Sequence, residues 1–338
     1  MFAKVQEVAQ VFGSLALGQS QGSKGQGGAS MRRIQETEQP PNQKKSACME
    51  NPSPYVFLKG IPLFPQFHKV ETIEKMQDEF EFQDKDVLLV TYPKSGTHWM
   101  INILNLIHSK GDPTWIKSVS FWKRSTWIEI THDLEVLRNM AHPRFLTSHL
   151  PVHLYPKSYF TSKAKMIYVA RNPRDVLVSL YSFLSDLPFS PSFLNFEHFF
   201  EEFLQGNVMY GSWFDHIKGW LPMRDSENFL FLTYEELHQD LKVSVEKICQ
   251  FLDKELSEEE ICSVLENSSF QTMKNDMLEK NETFTLENME VFKVTLMRKG
   301  ICGDWKRYFT VTQMEKFNRI YKEKMEGLGQ DLFPWDQC

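Results

Sequence analysis

The sequence has few cysteines, and their arrangement excludes several classes of protein. Its five cysteines, among 338 residues, form no CxxC pair, and their odd number does not suit a disulfide framework. A run of about 18 uninterrupted apolar residues is also absent, so no transmembrane helix is predicted. No cluster of histidine, cysteine and aspartate has the spacing of a metal site. These absences favour a cytoplasmic protein with reduced thiols and without a metal.

Basic residues are also fewer than acidic residues. The chain has 38 Lys and Arg against 44 Asp and Glu, a formal net charge of −6, which argues against a broadly basic binder of nucleic acid or membrane. Residues 1–48 carry a net charge of +3 and the remainder −9. An acidic chain can still hold a local cationic pocket, so a small anionic ligand is not excluded.

The amino-terminal segment differs in composition from the rest. Apolar residues make up 41% of the whole chain, which excludes wholesale disorder. The run GQSQGSKGQGGAS, however, cannot bury enough apolar surface to offset the entropy of ordering. We predict a disordered extension over residues 1–54 and one domain over residues 55–338. The apolar patch at 8–17 leaves open a secretory signal, a mitochondrial presequence or an extension without function.

Strand-like and helix-like segments alternate along the domain. Short apolar runs rich in β-formers lie at residues 86–92, 145–147, 165–170 and 228–233. Helix-like segments follow three of these runs, at residues 98–109, 175–184 and 234–241. Apolar strands that alternate with amphipathic helices are typical of a parallel sheet covered on both faces. The predicted fold class is therefore α/β, a single domain with a central parallel sheet flanked by helices.

The sharpest local motif is TYPKSGT at residues 91–97, between a predicted strand and a predicted helix. A loop that opens a helix presents unpaired N–H groups and the positive end of the helix dipole, which favours phosphate. Lys94 adds a positive charge, and Ser95 and Thr97 add hydroxyl donors. The motif is not a Walker A loop, because GxxxxGK[ST] has a different order. A phosphate site and an ordinary Pro-Lys-Ser-Gly turn both remain open here.

Two further segments place basic residues beside a helix start or a glycine. Arg171 ends a predicted strand, and Ser179 lies in the helix that follows. Arg298 and Lys299 precede Gly300, where a backbone can approach a ligand closely. Each segment alone also fits a solvated charge cluster. With the Pro-Lys-Ser-Gly loop, they indicate a ligand with two separated phosphates.

Five motifs in order, TYPKSGT, SHLP, RNPRDVLVS, SWFDHIKGW and RKGICGDWK, resemble those of the cytosolic sulfotransferases. The resemblance covers roughly residues 55–335 and is strongest to the hydroxysteroid (alcohol) branch. It implies a P-loop-kinase-like sulfotransferase fold and an enzyme that takes a sulfuryl group from 3′-phosphoadenosine 5′-phosphosulfate. The implied acceptor is the hydroxyl of a small apolar alcohol, most of all a hydroxysteroid.

The resemblance also implies which residues hold the donor. Those matching the 5′-phosphosulfate positions are Lys94, Ser95, Gly96 and Thr97, followed by His98, where the family usually has Thr or Asn. Those matching the 3′-phosphate positions are Arg171, Ser179, Arg298, Lys299 and Gly300. Those around the adenine are Trp99, Tyr234, Ser268, Phe270 and Met273. His98 would either weaken donor binding or, when protonated, support it, and core packing is the alternative for Trp99 and Phe270.

His149, in Ser-His-Leu-Pro, matches the catalytic base of the family. Sulfuryl transfer is an in-line displacement related to phosphoryl transfer. The acceptor hydroxyl has a pKa far above 7, so a base must take its proton as the new bond forms. Negative charge then builds on the departing phosphate oxygen, where Lys94 and the loop N–H groups are expected to stabilise it. The resemblance suggests that Ser179 steers Lys94, and no metal is required.

The acceptor pocket is expected around the segment WIKSVSFWKRSTW, with Trp122 and Trp127 as its walls. Thr147 stands where phenol-directed relatives often have Lys, which favours steroid-like alcohols over bile-acid or xenobiotic alcohols and phenols. Core packing is the alternative for the tryptophans. Residues 276–284 lack the Asn-Tyr-Ser/Thr segment that is common near the acceptor entrance in the family.

A short pattern near the carboxyl terminus fits the dimerisation motif of the family, Lys-x3-Thr-Val-x3-Glu. Its residues are Lys306, Thr310, Val311 and Glu315. The resemblance therefore favours a homodimer. The alternative is a loop that caps the next helix, since threonine is a good N-cap residue.

Two other classes of function stay open. A non-catalytic nucleotide-binding relative is conceivable because of His98 and the altered segment at 276–284. A kinase that uses ATP and Mg²⁺ is disfavoured, because the Walker A motif is missing and a 3′-phosphate site is indicated.

Overall fold

A computed structural model describes residues 53–130, 134–190, 195–280, 296–328 and 333–335. Of the predicted extension at residues 1–54, residues 1–52 lie outside this described part. The same holds for residues 281–284 of the altered acceptor segment.

A parallel sheet forms the centre of the described part of the chain. The strands are β1 (Val56–Leu58), β2 (Ile61–Leu63), β3 (Val87–Thr91), β4 (Thr126–Trp127), β5 (Phe145–Ser148), β6 (Lys165–Ala170) and β7 (Phe229–Thr233). Strands β1 and β2 pair antiparallel as a separate hairpin, and the other five form a parallel sheet in the order β4-β5-β3-β6-β7. In register, Leu89 of β3 faces Thr147 of β5 and Ile167 of β6. The predicted parallel sheet is confirmed; hairpin β1–β2 and the two-residue β4 were not predicted.

Helices connect and cover these strands. The α-helices of the described ranges are α1 (Val70–Glu79), α2 (Thr97–His108), α3 (Thr114–Ser118), α4 (Leu134–Arg138), α5 (Pro173–Ser185), α6 (Phe196–Gln205), α7 (Trp213–Trp220), α8 (Tyr234–Gln239), α9 (Leu241–Phe251), α10 (Glu258–Asn267), α11 (Phe270–Glu279) and α12 (Val311–Lys324). Short 3-10 helices lie at Phe121–Lys123, Val152–Leu154, Lys157–Thr161, Leu221–Asp225 and Asp304–Arg307.

Side-chain caps define where several helices begin. Asn172 accepts a hydrogen bond from the backbone N–H of Arg174 and stands before Pro173, so α5 starts directly after β6. Thr233 and Glu236 form a capping box that starts α8 directly after β7. Thr310 caps α12 in the same way, as its sequence position predicts. Each helix start next to a strand end brings backbone N–H groups to the carboxyl edge of the sheet.

The core lies on both faces of the sheet. Alternate residues of β3 show this: Leu88 and Val90 belong to one buried apolar cluster, and Leu89 belongs to the other. Since successive side chains of a strand point to opposite faces, both faces are covered by apolar side chains. This leaves the carboxyl edge of the sheet as the place where polar side chains gather.

The described ranges lack two kinds of feature, a membrane-spanning helix and a metal-binding group of side chains. None of their helices combines the length and the apolar character needed to cross a membrane. Nor do three or more His, Cys, Asp or Glu side chains come together there in a way that would hold a metal ion.

Candidate active site

Four strand ends meet at one cavity of about 450 Å³. The chain leaves β3 into the Pro-Lys-Ser-Gly loop, β5 into His149, β6 into Arg171 and β7 into Tyr234. The predicted site residues that line the cavity are Lys94, Gly96, Thr97, His98, Trp99, Trp122, Trp127, His149, Arg171, Ser179, Tyr234, Phe270, Met273, Arg298, Lys299 and Gly300. The fold therefore brings together most of the predicted donor and acceptor residues in one space.

The loop after β3 depends on a glycine. Gly96 has φ of 94°, in the left-handed region, and a Cβ there would lie 2.7 Å from Tyr234 Cδ2. Lys94 in the same loop also has a positive φ, of 69°. Ser95 is fully buried, and its hydroxyl has no partner among the described residues. The loop thus places Lys94 in a strained conformation and leaves one buried hydroxyl donor, that of Ser95, without a partner in the described ranges.

Lys94 is held in an environment that disfavours its charge. Burial, together with the positive charges of Arg171 and Arg298, lowers its pKa to about 7. Its Nζ lies 4.4 Å from the ring centre of Phe183, a cation–π contact on α5. Ser179, one turn before Phe183, lines the cavity beside it. An anion bound next to Lys94 would restore the charge of this lysine.

Arg171 joins two of the anion-binding segments. Its guanidinium donates to the carbonyl of Lys94 at 3.0 Å and to the carbonyl of Ile301 at 3.1 Å. The same group lies 4.1 Å from the ring centre of Tyr234. Its Nε is buried without a hydrogen-bond partner in the described part of the chain. This free donor is suited to an anion between the two loops.

Arg298 and Lys299 are organised by one buried carboxylate. Asp304 accepts hydrogen bonds from Arg298 at 2.5 Å and from Lys299 at 2.8 Å, and these partners keep its pKa below its usual value despite the opposing effect of burial. Asp175 of α5 holds the same loop through the N–H groups of Gly303 and Trp305, at 2.7 and 3.0 Å. Two cations on one anion leave net positive charge at this wall of the cavity.

Gly300 allows this wall to approach an aromatic ring. Its φ is 66°, and a Cβ would lie only 2.1 Å from Cδ2 of Phe270. Trp99 packs edge-on against Tyr234 with ring centres 5.3 Å apart. Together with Met273, these side chains form an aromatic and apolar slot beside the cationic wall. Such a slot suits a flat heterocycle that carries a phosphate.

His149 is the imidazole at the centre of the cavity wall. Its Nδ1 lies 2.7 Å from the carbonyl oxygen of Thr91 and 3.1 Å from the hydroxyl of the same residue. Because a carbonyl only accepts, Nδ1 carries the proton and Nε2 is left with a lone pair. Burial lowers the pKa of His149 to about 3, so the ring is neutral at pH 7. A neutral imidazole with a free nitrogen can take a proton from a hydroxyl.

Thr91, the last residue of β3, also connects His149 to the start of α2. Thr91 Oγ1 lies 2.8 Å from Thr97 Oγ1, in the first turn of α2. The side chain of His149 is therefore held by the residue that ends β3 rather than by a carboxylate. The carbonyl of His149 accepts from His216 Nε2 at 3.1 Å, which holds the backbone as well.

Aromatic rings from residues 121–127 form the other end of the cavity. Trp127 packs against the ring of His149 with centres 4.8 Å apart. His98 lies against Trp122 and Trp127, at 5.5 and 6.0 Å between ring centres. Burial and the charges of Lys94 and Arg124 lower the pKa of His98 to about 3, so it is neutral here. This end offers an apolar wall with one neutral imidazole.

Three predicted residues do not line the cavity. Ser95 is buried beneath the loop. Ser268 is fully buried, its hydroxyl donates to the carbonyl of Val264 at 2.6 Å, and its own carbonyl accepts from Trp99 Nε1 at 2.8 Å. Thr147 is buried in β5 with its hydroxyl 2.6 Å from that of Ser125. Ser268 thus supports Trp99, and Thr147 supports the sheet behind the cavity.

Sequence reasoning missed several residues that line the cavity. Phe183 and Leu187 line the cavity and follow Ser179 at intervals of four residues, a helical spacing that was open to detection. Met209 and Tyr210 also line it, from a loop without any motif. These residues come to the cavity only through folding.

The predicted dimerisation pattern lies away from the cavity. Thr310 and Val311 begin α12, and Val311 is 68% exposed. Lys306 belongs to the 3-10 helix before it, and Glu315 is exposed on α12. The cap that the alternative predicted is present, and it is compatible with a contact surface.

The chemistry that this edge of the sheet can perform is transfer of an anionic group to a hydroxyl, with cations at one end and a neutral base at the other. The sulfotransferase domain family matches residues 84–329. The chain is 49% identical over 282 residues to Sulfotransferase 2A1 of Homo sapiens, which covers 83% of this chain and 99% of the relative. It is also 51% identical over 268 residues to the 3-beta-hydroxysteroid sulfotransferase of Cavia porcellus. This alignment covers 79% of the present chain and 93% of the relative.

A solved structure agrees with these sequence relatives. Mouse sulfotransferase SULT7A1 complexed with PAP has a TM-score of 0.71 and 30% identity, and the alignment covers 82% of this chain and 95% of that one. The chain therefore belongs to the sulfotransferase family and is an enzyme of that family. Within it, the chain falls in the hydroxysteroid branch.

Proposed function

We propose that this protein transfers the sulfuryl group of 3′-phosphoadenosine 5′-phosphosulfate to the hydroxyl of a hydroxysteroid or a related apolar alcohol. The observation that carries this proposal is the neutral His149, with a free Nε2, in the same cavity as Lys94 and the cations around Asp304. The solved relative is complexed with PAP, the donor without its sulfuryl group, and one of the two sequence relatives is a 3-beta-hydroxysteroid sulfotransferase by name.

The residues present fit such a donor. Lys94 has a depressed pKa that an anion would raise, and Ser95 Oγ and Arg171 Nε are buried donors without a partner in the described ranges. Buried donors of this kind cost free energy, about 1–3 kcal/mol each, until a ligand satisfies them. The donor would supply the sulfuryl group as an activated mixed anhydride.

The chain's own residues then have separate tasks. Lys94 and the N–H groups at the start of α2 would stabilise the charge that develops on the departing phosphate oxygen. Arg171, Arg298 and Lys299 would hold the 3′-phosphate, and Tyr234 with its aromatic neighbours would hold the adenine. His149 Nε2 would take the proton of the acceptor hydroxyl, while Thr91 keeps the other ring nitrogen protonated.

The acceptor end favours an apolar alcohol. Trp122, Trp127, Phe183 and Met209 are apolar side chains that line the cavity, and Phe183 also packs against Lys94. A rigid hydrocarbon with one hydroxyl would bury its surface against these rings and present the hydroxyl to His149.

The test is transfer from sulfur-labelled donor to a panel of sterols, bile-acid alcohols and phenols. We expect labelled product with hydroxysteroids and none with His149→Ala above background. Tight binding of 3′,5′-bisphosphoadenosine by calorimetry without turnover on any acceptor would instead establish a non-catalytic relative. Undiminished transfer by His149→Ala would refute the assigned base.

We further propose that the protein acts as a cytoplasmic homodimer through Lys306, Thr310, Val311 and Glu315. The exposure of Val311 supports this proposal, because an exposed apolar side chain on a helix start is suited to a contact. Light scattering should give twice the chain mass, and Val311→Glu should give the monomer mass. Fluorescence microscopy of a tagged chain tests the compartment.

A further inference from the structure

A buried carboxyl group lies directly behind His149, and no role in the proposed reaction has been given to it. Glu129 is two residues beyond β4 and only 1% exposed. The N–H of Ile128 donates to the carbonyl of Thr147 at 3.0 Å, so the chain after β4 continues beside the end of β5. This path brings the Glu129 carboxyl to the turn that carries His149.

Glu129 contacts the base through its backbone. The N–H of His149 donates to Glu129 Oε1 at 2.7 Å. That N–H follows the last residue of β5, where the sheet ladder ends, so the carboxyl supplies a partner that no strand provides. Together with the Thr91 carbonyl on Nδ1 and the His216 ring on the carbonyl of His149, it holds this residue at three different atoms.

Glu129 also contacts the base through a second ring. The hydroxyl of Tyr210 lies 3.1 Å from the same Oε1. The ring of Tyr210 packs edge-on against the imidazole of His149, with centres 5.2 Å apart. Tyr210 has a positive φ of 66°, which is unusual for a residue with a side chain and needs such contacts to persist. One carboxyl oxygen therefore orients both the backbone and a ring wall of the base.

The contacts continue to His68. Tyr210 Oη lies 2.8 Å from His68 Nε2, and His68 Nδ1 lies 2.9 Å from the carbonyl of Phe64. The carbonyl requires a proton on Nδ1. A neutral His68 therefore accepts the Tyr210 proton at Nε2, and the Tyr210 oxygen then accepts from a protonated Glu129. A cationic His68 reverses both bonds and leaves Glu129 ionised.

The three hydrogen-bonded residues Glu129, Tyr210 and His68 thus share one proton, which can reside on Glu129 or on His68. Their total charge is the same in both arrangements. Burial raises the pKa of Glu129, and hydrogen bonds from His149, Ser148 and Tyr210 offset this in part. When His149 takes the acceptor proton, a positive charge appears beside Glu129. The arrangement with an ionised Glu129 then places a negative charge in direct contact with His149, and the compensating positive charge lies on His68, whose charge also acts on His149.

We propose, on the basis of the function proposed above, that Glu129 is a positioning residue for His149, and that the Glu129–Tyr210–His68 chain supplies the counter-charge when this base is protonated. In that step a proton leaves Glu129 Oε1 for the Tyr210 oxygen as the Tyr210 proton passes to His68 Nε2. Glu129, Tyr210 and His68 together gain or lose no proton in this step, and Glu129 never contacts the acceptor.

The first experiment compares Glu129→Gln and Tyr210→Phe with the wild type in transfer from the labelled donor. We expect Glu129→Gln to lower kcat by roughly tenfold or more, with donor affinity within about twofold of wild type. Tyr210→Phe should lower kcat less, because the carboxyl still holds the His149 N–H. The matched control is Asp86→Asn, since Asp86 is an equally buried carboxyl at the opposite edge of the sheet, where it binds Arg144.

Asp86→Asn should lower the melting temperature and leave kcat per folded molecule unchanged. Two outcomes would overturn the proposal. One is a kcat loss of the same size in Asp86→Asn as in Glu129→Gln, and the other is an unchanged kcat in both Glu129→Gln and Tyr210→Phe. If Glu129→Gln does not fold, Tyr210→Phe decides by the same criteria.

The second experiment does not need turnover. In protein labelled at histidine with ¹⁵N, the spectrum of His149 should show a single Nδ1-protonated ring in the wild type and in Asp86→Asn. Glu129→Gln should show exchange between tautomers or ring orientations. An unchanged His149 spectrum in Glu129→Gln would refute positioning. This readout stands even if the wild type transfers nothing, an outcome that would refute the proposed function alone.

Discussion

The two ends of the cavity, to which we assign the donor and the acceptor and which we call the donor end and the acceptor end, are built in different ways. At the donor end, charges and backbone conformation dominate: two glycines with positive φ, a strained lysine and two cations on Asp304. At the acceptor end, rings from residues 121–127, α5 and the loop at 209–210 meet around His149. The first depends on a few contiguous motifs, and the second depends on how distant segments pack. Substitutions at one end should therefore leave the other end largely unchanged.

The largest effect is expected at the point where the two ends meet. His149→Ala removes the assigned base, so kcat should fall by about 10²–10⁴-fold. Donor affinity should stay within about twofold, because His149 does not contact the cationic wall. Steady-state kinetics and calorimetry with 3′,5′-bisphosphoadenosine check both quantities.

A parallel loss of donor affinity in His149→Ala would break the separation between the two ends. His153→Ala offers a matched control, since His153 lies outside the cavity-lining set and is a partly buried histidine in the next turn. Its kcat should remain that of the wild type.

The donor end should respond to a single methyl group. In Gly300→Ala, the new Cβ meets the ring of Phe270 at 2.1 Å and sits at φ of 66°, so the wall must shift. We expect donor affinity to fall by roughly tenfold or more, from about 1–2 kcal/mol of backbone strain plus the clash. Gly327→Ala is the control, because φ there is 83° but no atom lies within 4 Å of the added Cβ. Equal donor affinities in the two variants would contradict the close approach at Gly300.

The acceptor end should respond to the loss of one ring. Trp122→Ala should raise the acceptor KM for a hydroxysteroid by about three- to tenfold, because apolar contact area is removed, and leave the donor KM unchanged. Trp115→Ala is a matched control on the same segment, since Trp115 is 45% exposed and does not line the cavity. A rise in the donor KM instead would mean that the aromatic wall belongs to the donor end.

The smallest expected effect is the uptake of at most one proton when the donor binds. The pKa of Lys94 is about 7 without a ligand, and an adjacent phosphosulfate would raise it. Below pH 6 the lysine is already charged, so binding takes up no proton. At pH 8 it is mostly neutral, so binding should take up close to one proton and weaken as pH rises further.

Calorimetry with 3′,5′-bisphosphoadenosine in two buffers of different ionisation enthalpy measures this uptake. The Lys94→Met variant should lose most of it. Equal heats in the two buffers at pH 8 would show that Lys94 is charged before the ligand binds.

The donor end was largely predictable from motifs, and the reason is local. Lys94, Gly96 and Thr97 stand within four residues, between a strand and a helix, so their mutual placement follows from local structure. Arg298 and Gly300 are likewise close in sequence, so their mutual placement also follows from local structure. Ser268 shows the limit of this reasoning, because it holds Trp99 through its backbone carbonyl while its hydroxyl bonds within α10.

The acceptor end was predictable only in part. Trp122 and Trp127 line the cavity as expected, but Thr147, two residues before the base, does not. Thr147 and His149 are two residues apart, so strand alternation alone would place both side chains on one face. They differ because β5 ends at Ser148: the hydroxyl of Thr147 is bonded to Ser125 within the sheet, and His149 lies in the turn that follows. Met209 and Tyr210 come from a loop that carries no periodic or motif signal.

By itself, the sequence determined the α/β class, four strands of the parallel sheet and the cationic loops, because each depends on neighbouring residues, whereas the role of His149 as the base stays a prediction from its motif. Only the tertiary structure decided the protonated nitrogen of His149, the depressed pKa of Lys94 and the contact between Glu129, Tyr210 and His68. These depend on distances between segments up to 142 residues apart. Such distances are set by packing, and a linear pattern does not contain them.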